Sequence, residues 1–283
     1  MYDADVSAWK HLTYMPQPRH HHAVAVLGGF LYVAGGESTN DHCSPVKTVF
    51  RFDPRNKTWL QVACMNYSRQ SFQMAVLHGH IYALGGRINK NESLDSVERY
   101  DPSKDVWNEV ASLSIARRCI AVSTLNGRLY AVGGSGNNVI YSRVERYNPF
   151  EDKWECRKST NVPRFSAHLI TVHTRLYLLG GATIDASGNI KCLDTIETYT
   201  PSTDTWVLLC GLKSPKRAEF GCTLVGDRIY MCGGYNWDDN QRLVSAEYLD
   251  ITEQKWHQIG PITAMYTGIA CCLLTVYDLG KDG

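Results

Sequence analysis

A chain of 283 residues with 44% hydrophobic and 11% aromatic content has the apolar surface for a sizeable core, and a disordered polypeptide is excluded. With 29 Lys+Arg against 28 Asp+Glu the formal charge is +1, so no global field gathers nucleic acid or an anionic membrane, and a charged partner has to be met by a local patch. No run approaches the roughly 20 apolar residues of a membrane helix, and the opening MYDADVSAWK is too polar for a secretory leader. The expectation is a soluble chain in the cytoplasm, with the nucleus also compatible. Ten cysteines are scattered without Cys-x-x-Cys or Cys/His zinc spacing, which fits free thiols in a reducing compartment. Asn-x-Ser/Thr triplets at Asn56, Asn66 and Asn91 are expected by chance and carry no weight without a leader.

In chain order, the first marks are Tyr2 and Trp9. The stretch RHHHAVAVLGGFLYVAGGE (19–37) follows, with an arginine, three histidines, an apolar run of period two, Tyr32 and the pair Gly35-Gly36. The same marks return four times. Arg69, Arg117, Arg164 and Arg217 each stand sixteen residues before a double glycine (Gly85-Gly86, Gly133-Gly134, Gly180-Gly181, Gly233-Gly234), and Tyr82, Tyr130, Tyr177 and Tyr230 stand three before it. Trp59, Trp107, Trp154, Trp206 and Trp256 close the units, preceded at minus seven by Phe52, Tyr100, Tyr147, Tyr199 and Leu249. Successive double glycines lie 50, 48, 47 and 53 residues apart, and self-similarity at such a period identifies a repeat architecture.

Alternation and β-branched or aromatic enrichment predict four strands per unit, in the second at about 70–77, 80–85, 95–100 and 106–110. Asn126-Gly127 and Gly226-Asp227 mark the first turn of a unit, and Asp53-Pro54, Asp101-Pro102 and Asn148-Pro149 the last. Four strands in a unit of this length make a β-propeller blade. These marks resemble the Kelch repeat, and the resemblance covers nearly the whole chain. It implies an all-β, six-bladed Kelch β-propeller, a single domain over 1–283, with four-stranded antiparallel blades. Repeats fall at roughly 17–66, 67–114, 115–161, 162–214 and 215–263, and a closing blade is shared between the termini (1–16 plus 264–283), with Tyr266 where other units have arginine. No Tyr-x-x-Gly-Gly precedes Tyr2, and the corresponding place after Tyr266 reads VYDLGKDG. The closing blade is therefore expected to lack a strand, and the chain to be a fragment of a longer protein.

The interval from double glycine to tryptophan takes the values 24, 22, 21, 26 and 23, while the other intervals barely change. Variation is confined to the loop after the second strand, which in an antiparallel blade leaves from the end where the first strand begins. Loops and arginines are thus expected on one face. Arg19, Arg69, Arg117, Arg164 and Arg217, with Tyr266 in the sixth place, are read two ways. They form a ring at the channel mouth that grips a partner's carboxylate, or they are struts bonded to carbonyls of the neighbouring blade.

Among the loops, Trp237 is the one tryptophan outside the repeat pattern. With Tyr235 and Asp238 beside it, it is a candidate contact anchor, the alternative being a cap on its own blade. Glu37 and Arg87, each directly after a double glycine, and Asn137 in the third loop complete the candidate partner-binding set. Consecutive side chains of a strand point to opposite faces, so His20, His21 and His22 are not expected to converge on an ion, and no third ligand is evident nearby. Neither a metal nor another cofactor is expected.

The sequence has no nucleophile elbow, phosphate loop or dinucleotide fingerprint, and no catalytic residue is expected. What the resemblance implies is a protein–protein interaction module. Kelch propellers of this size stand most often behind BTB and BACK domains in Kelch-like proteins, as substrate receptors of a cullin-RING ubiquitin ligase. The partner would be a protein substrate or its peptide degron, with cullin reached only through the BTB-BACK part. A cytoskeletal, actin-type scaffold without ligase function is the alternative.

Overall fold

The computed structural model describes residues 1–3, 8–38, 44–209, 215–263 and 268–276. In the first repeat the strand Ala23–Leu27 turns back through Gly28-Gly29 onto Phe30–Ala34, and Val49–Asp53 and Thr58–Val62 follow. The four strands pair antiparallel in chain order as one blade. The second blade is Gln73–Leu77, His80–Leu84, Val97–Asp101 and Val106–Val110, and the third is Ala121–Leu125, Arg128–Val132, Val144–Asn148 and Lys153–Arg157. The fourth is His168–Val172, Arg175–Leu179, Ile196–Thr200 and Thr205–Leu208, and the fifth is Gly221–Val225, Arg228–Cys232, Ala246–Asp250 and Lys255–Ile259. The innermost strand of the second blade starts at Gln73 rather than 70, because Ser71 adopts φ 52° and breaks the extended run.

The minus-seven spacing has a simple geometric origin. Residues seven apart sit opposite one another in the outer hairpin, as in Tyr100↔Trp107, Tyr147↔Trp154 and Tyr199↔Trp206, and their rings lie 5.0–5.1 Å apart. The same residues tie blades together. Trp107, Trp154 and Trp206 donate their indole N–H to the carbonyls of Ala63, Ala111 and Lys158 in the preceding repeat, at 2.9, 2.7 and 2.8 Å. Asp105, Asp152 and Asp204 accept both a tyrosine hydroxyl of their own blade and a backbone N–H of the preceding one. Trp9 makes the equivalent bond, 2.7 Å to the carbonyl of Gly260, and so docks the N-terminal hairpin on the fifth blade.

The expectation of six blades is corrected by the sheet count: the described residues hold five four-stranded blades, not six. Between the fifth blade and the first the described residues form one two-stranded hairpin, Tyr2–Asp3 with Ala8–Trp9. Tyr2 and Trp9 carry the spacing of an outer hairpin and specify no more than that. Residues 268–276, expected to begin an inner strand, join no ladder.

They nevertheless complete a closed circuit. His21, Ser71, Cys119, Ser166 and Glu219, each two residues after a repeat arginine, take φ of 52–55°, and Gly268 takes 65°. Ser71 N–H donates to His21 O (3.0 Å), Cys119 to Ser71 (2.7 Å), Ser166 to Cys119 (2.9 Å), Glu219 to Ser166 (3.3 Å), Gly268 to Glu219 (3.1 Å) and His21 to Gly268 (3.3 Å). The left-handed backbone of five non-glycine residues, a strained conformation, is held in place by this ring around the central channel.

His22 and His168 line a cavity of about 60 Å³ in that channel, beside Phe72, Ile120 and Phe220. Burial pushes both imidazoles down to about 4, and the His168 Nε2 lies 2.7 Å from the Phe220 carbonyl. Their folded pKa is below that of an unfolded histidine, so the unfolded state binds more protons between about pH 6.5 and 4. The stabilisation is complete above that window and is lost as pH falls through it. A decrease of about 2 kcal/mol per histidine, discounted for water in the channel, is expected in urea unfolding followed from pH 7 to 4; a flat profile would refute it.

Candidate functional site

The five repeat arginines are buried, 0–7% exposed. Each guanidinium donates to the carbonyl of the first residue of its own unit's double glycine, as Arg69 does to Gly85 at 2.8 Å and Arg117 to Gly133 at 2.8 Å. In four blades the second terminal nitrogen meets a buried glutamate: Arg69 with Glu98 (2.6 Å), Arg117 with Glu145 (2.7 Å), Arg164 with Glu197, and Arg217 with Glu247 (2.6 Å). In the first blade Phe50 occupies the glutamate position. Arg19 bonds instead to Gln17 (2.8 Å) and the Thr48 hydroxyl (3.0 Å), with its guanidinium 5.2 Å from the Phe50 ring centre. Burial pulls Arg19 down to about 10, which leaves it charged at neutral pH. The neighbouring blade is reached by the backbone, since the Arg69, Arg117, Arg164 and Arg217 carbonyls accept from Gly36, Gly86, Gly134 and Gly181.

Above this buried layer the loop end of the ring opens into a cup of about 580 Å³. Its position follows from the ladder. The residue after each repeat arginine bridges to the residue after the double glycine, as in Gln70↔Arg87, Arg118↔Ser135, Phe165↔Ala182 and Ala218↔Tyr235. Loops therefore rise from the end where the inner strands begin. Three ribbons form the wall: Ser135–Gly136 with Val139–Ile140, Ala182–Ile184 with Ile190–Cys192, and Tyr235–Asn236 with Gln241–Arg242. Arg87, Arg118 and Arg242 bring positive charge to the lining, and Val139, Ile184 and Ile190 bring exposed apolar surface, 36–48% accessible. Glu219 and His21 lie at the floor, with His21 Nε2 and the Glu219 carboxylate 3.6 Å apart.

A family model described as the KLHDC2/KLHL20/DRC7 Kelch-repeats domain matches residues 1–134, and the Kelch motif matches 116–160 and 216–262. The chain is 51% identical over 279 residues to Kelch-like protein 9 of Mus musculus, covering 98% of this chain and 45% of that protein. It is 50% identical to Kelch-like protein 13 of Homo sapiens, again over 98% of this chain and 42% of the other. The chain belongs to the Kelch-repeat family. It spans less than half the length of these relatives. The fold is also that of the solved structure of YjhT, with a TM-score of 0.77 at 14% identity over 92% of this chain and 89% of that one.

Within this Kelch chain the candidate residues separate into two layers. Arg19, Arg69, Arg117, Arg164 and Arg217 lie in the buried layer, where their guanidiniums are engaged by their own unit rather than by carbonyls of a neighbouring blade. No partner reaches them without unpacking the blades. Arg87, Tyr235 and Trp237 do line the cup. The Tyr235 and Trp237 rings meet edge-on at 4.7 Å. Trp237 is half-buried against Ala182, Cys192 and Ala218, so it caps the fourth and fifth blades while presenting its remainder to the cup.

Asp238 is a latch between loops. Its carboxylate accepts from the Cys192 N–H (3.0 Å) and from Lys216 (2.6 Å), and the Lys216 ammonium holds it below the usual carboxylate range. Asn137 and Asn138 both take positive φ at a ribbon tip, and Asn138 is the one that lines the cup. Tyr266 lies outside the described residues. Glu37 is half-buried beside His20 across the ladder Arg19–His20 with Glu37–Ser38.

Sequence reasoning passed over Arg118, Arg242, Val139, Ile184 and Ile190. For Arg118 the usable signal was its place next to the constant marks, namely the residue after the arginine, which faces the residue after the double glycine. Their identities change from unit to unit while their neighbours do not.

Proposed function

We propose that this chain is a protein-interaction module, the substrate-recognition propeller of a cullin-RING ubiquitin ligase adaptor, working in the cytoplasm and holding a peptide of its partner in the loop-end cup. The observation that carries this reading is the lining of the cup, where three arginines stand among exposed apolar side chains on rigid ribbons. Such a surface suits an extended segment carrying acidic and apolar residues, and the rigid frame lowers the ordering cost of binding. The likeness to Kelch-like proteins 9 and 13 supports the adaptor role, in which cullin is met by BTB and BACK parts of the parent protein. The module supplies no chemistry of its own. Burial raises the Cys119 thiol beside the channel and pushes Cys192 up to about 11, which keeps both protonated and weakly nucleophilic.

The test is a peptide-display selection on the purified chain, with the enriched peptides then measured by fluorescence anisotropy. Acidic–apolar sequences are expected, binding the Arg118→Glu/Arg242→Glu variant at least about tenfold more weakly, equivalent to about 1.4 kcal/mol, and weakening in salt. Peptides that bind wild type and variant alike would place recognition elsewhere. Ubiquitin transfer by the full-length protein with its cullin onto a protein bearing the selected peptide tests the adaptor role separately.

A further inference from the structure

We propose that His20, His21 and Glu37 form a binding site for a divalent transition metal of the zinc type, at the rim where the channel opens into the cup. The alternation of a strand argues against this trio, and the backbone removes the objection. The short strand Arg19–His20 ends where His21 adopts φ 53°, so the two consecutive rings turn toward each other instead of apart. Their Nδ1 atoms lie 2.7 Å from one another. Glu37 comes from the far side of the double glycine and pairs directly with His20 in the ladder. Potential ligand atoms of the three side chains lie within 4.8 Å of one another, and all three residues are half-buried.

Two imidazole nitrogens at this distance share one proton between them. A metal ion replaces that proton and uses both lone pairs, with the Nδ1 atoms opening to about 3.3 Å in a tetrahedral site whose bonds are 2.0–2.1 Å. The donor set of two imidazoles and a carboxylate favours zinc, copper or nickel over magnesium or calcium. Glu219 supplies the outer layer such sites require. Its carboxylate stands 3.6 Å from the other nitrogen of His21, within reach of closing on that N–H once the ring turns its Nδ1 to a metal. Two carboxylates, Glu37 and Glu219, thus stand beside the imidazole pair. Three protein ligands leave a position open, and the site borders the cup through His21.

The experiment titrates the intact folded chain with Zn²⁺ by calorimetry and with Co²⁺ by visible absorption, using wild type, His20→Ala, Glu37→Gln and Glu219→Gln. One equivalent of zinc per chain is expected for wild type, with loss of that stoichiometric uptake in His20→Ala and in Glu37→Gln. Affinity should fall about 10–100-fold in Glu219→Gln, the range for outer-layer partners. His20 and Glu37 lie outside the backbone ring, and metal-free melting confirms that each variant folds; should His20→Ala unfold, Glu37→Gln carries the comparison. The proposal is overturned if wild type takes up no stoichiometric zinc, or if His20→Ala and Glu37→Gln bind as wild type does. A thiolate-to-cobalt charge-transfer band would assign the metal to cysteines and overturn it equally.

Discussion

Glu98→Ala is expected to lower the unfolding free energy by about 3–5 kcal/mol, the cost of leaving one partner of a buried ion pair uncompensated. Arg69 and Glu98 are both fully buried and meet at 2.6 Å. Burial alone drives the Arg69 guanidinium downward, and the Glu98 charge is the largest influence opposing it. The carboxylate also accepts the Asn66 N–H at 2.6 Å, so its removal strands a second donor in the connection from the preceding blade. Double replacement of Arg69 and Glu98 by apolar residues should cost less than Glu98→Ala alone, since no unpaired charge remains. The first blade offers an internal comparison, because there Phe50 with Gln17 and Thr48 satisfies Arg19 without any carboxylate. Urea unfolding of both variants decides the matter: a loss below about 1 kcal/mol for Glu98→Ala would mean that the pair contributes no more than a surface one.

Gly85→Ala is the second large effect, expected to cost about 3 kcal/mol or more. Gly85 has φ 60°, and a Cβ there would stand 2.5 Å from the Arg117 carbonyl oxygen. The left-handed conformation alone costs alanine about 1–2 kcal/mol, and the carbonyl cannot withdraw, because it accepts the Gly86 N–H at 3.0 Å. Gly79 is the control within the same blade. Its φ is 72° but nothing lies within 4 Å of an added Cβ, so Gly79→Ala should show the conformational cost without the clash. Thermal melts of the two variants separate these contributions; equal melting temperatures would refute the argument from the Arg117 carbonyl.

The repeated marks made the blades legible because each mark is a contact. Tyrosine and tryptophan seven apart face each other in a hairpin, and a double glycine is required where one repeat's backbone touches the next. Counting blades failed because Tyr2 and Trp9 report only an outer hairpin. For the site, regularity misled. Residues that recur in every unit do the same job in every unit, and the five arginines are internal struts. Their glutamate partners, nine positions before the tryptophan, escaped notice because Phe50 breaks the series. The cup draws on Arg242, Ile184 and Ile190, which stand in loops of unequal length where no periodicity singles them out, and on Arg118, which a constant arginine beside it overshadowed. The meeting of His20 with His21 was invisible because a left-handed backbone at a histidine has no signature in sequence.

The bond from the Trp9 indole to the Gly260 carbonyl joins residues 251 apart. On a ribosome adding about 5–20 residues per second, this hairpin waits on the order of 10–50 s for the surface it docks against. Through that interval the first blade has a neighbour on only one side, and the Gly268 link that shuts the backbone circuit does not yet exist. A nascent chain of this design passes its most vulnerable period while the circle is open, when bare blade flanks are exposed to chaperones and to the wrong partners. Once the circle shuts, no blade can leave without breaking contacts on both sides.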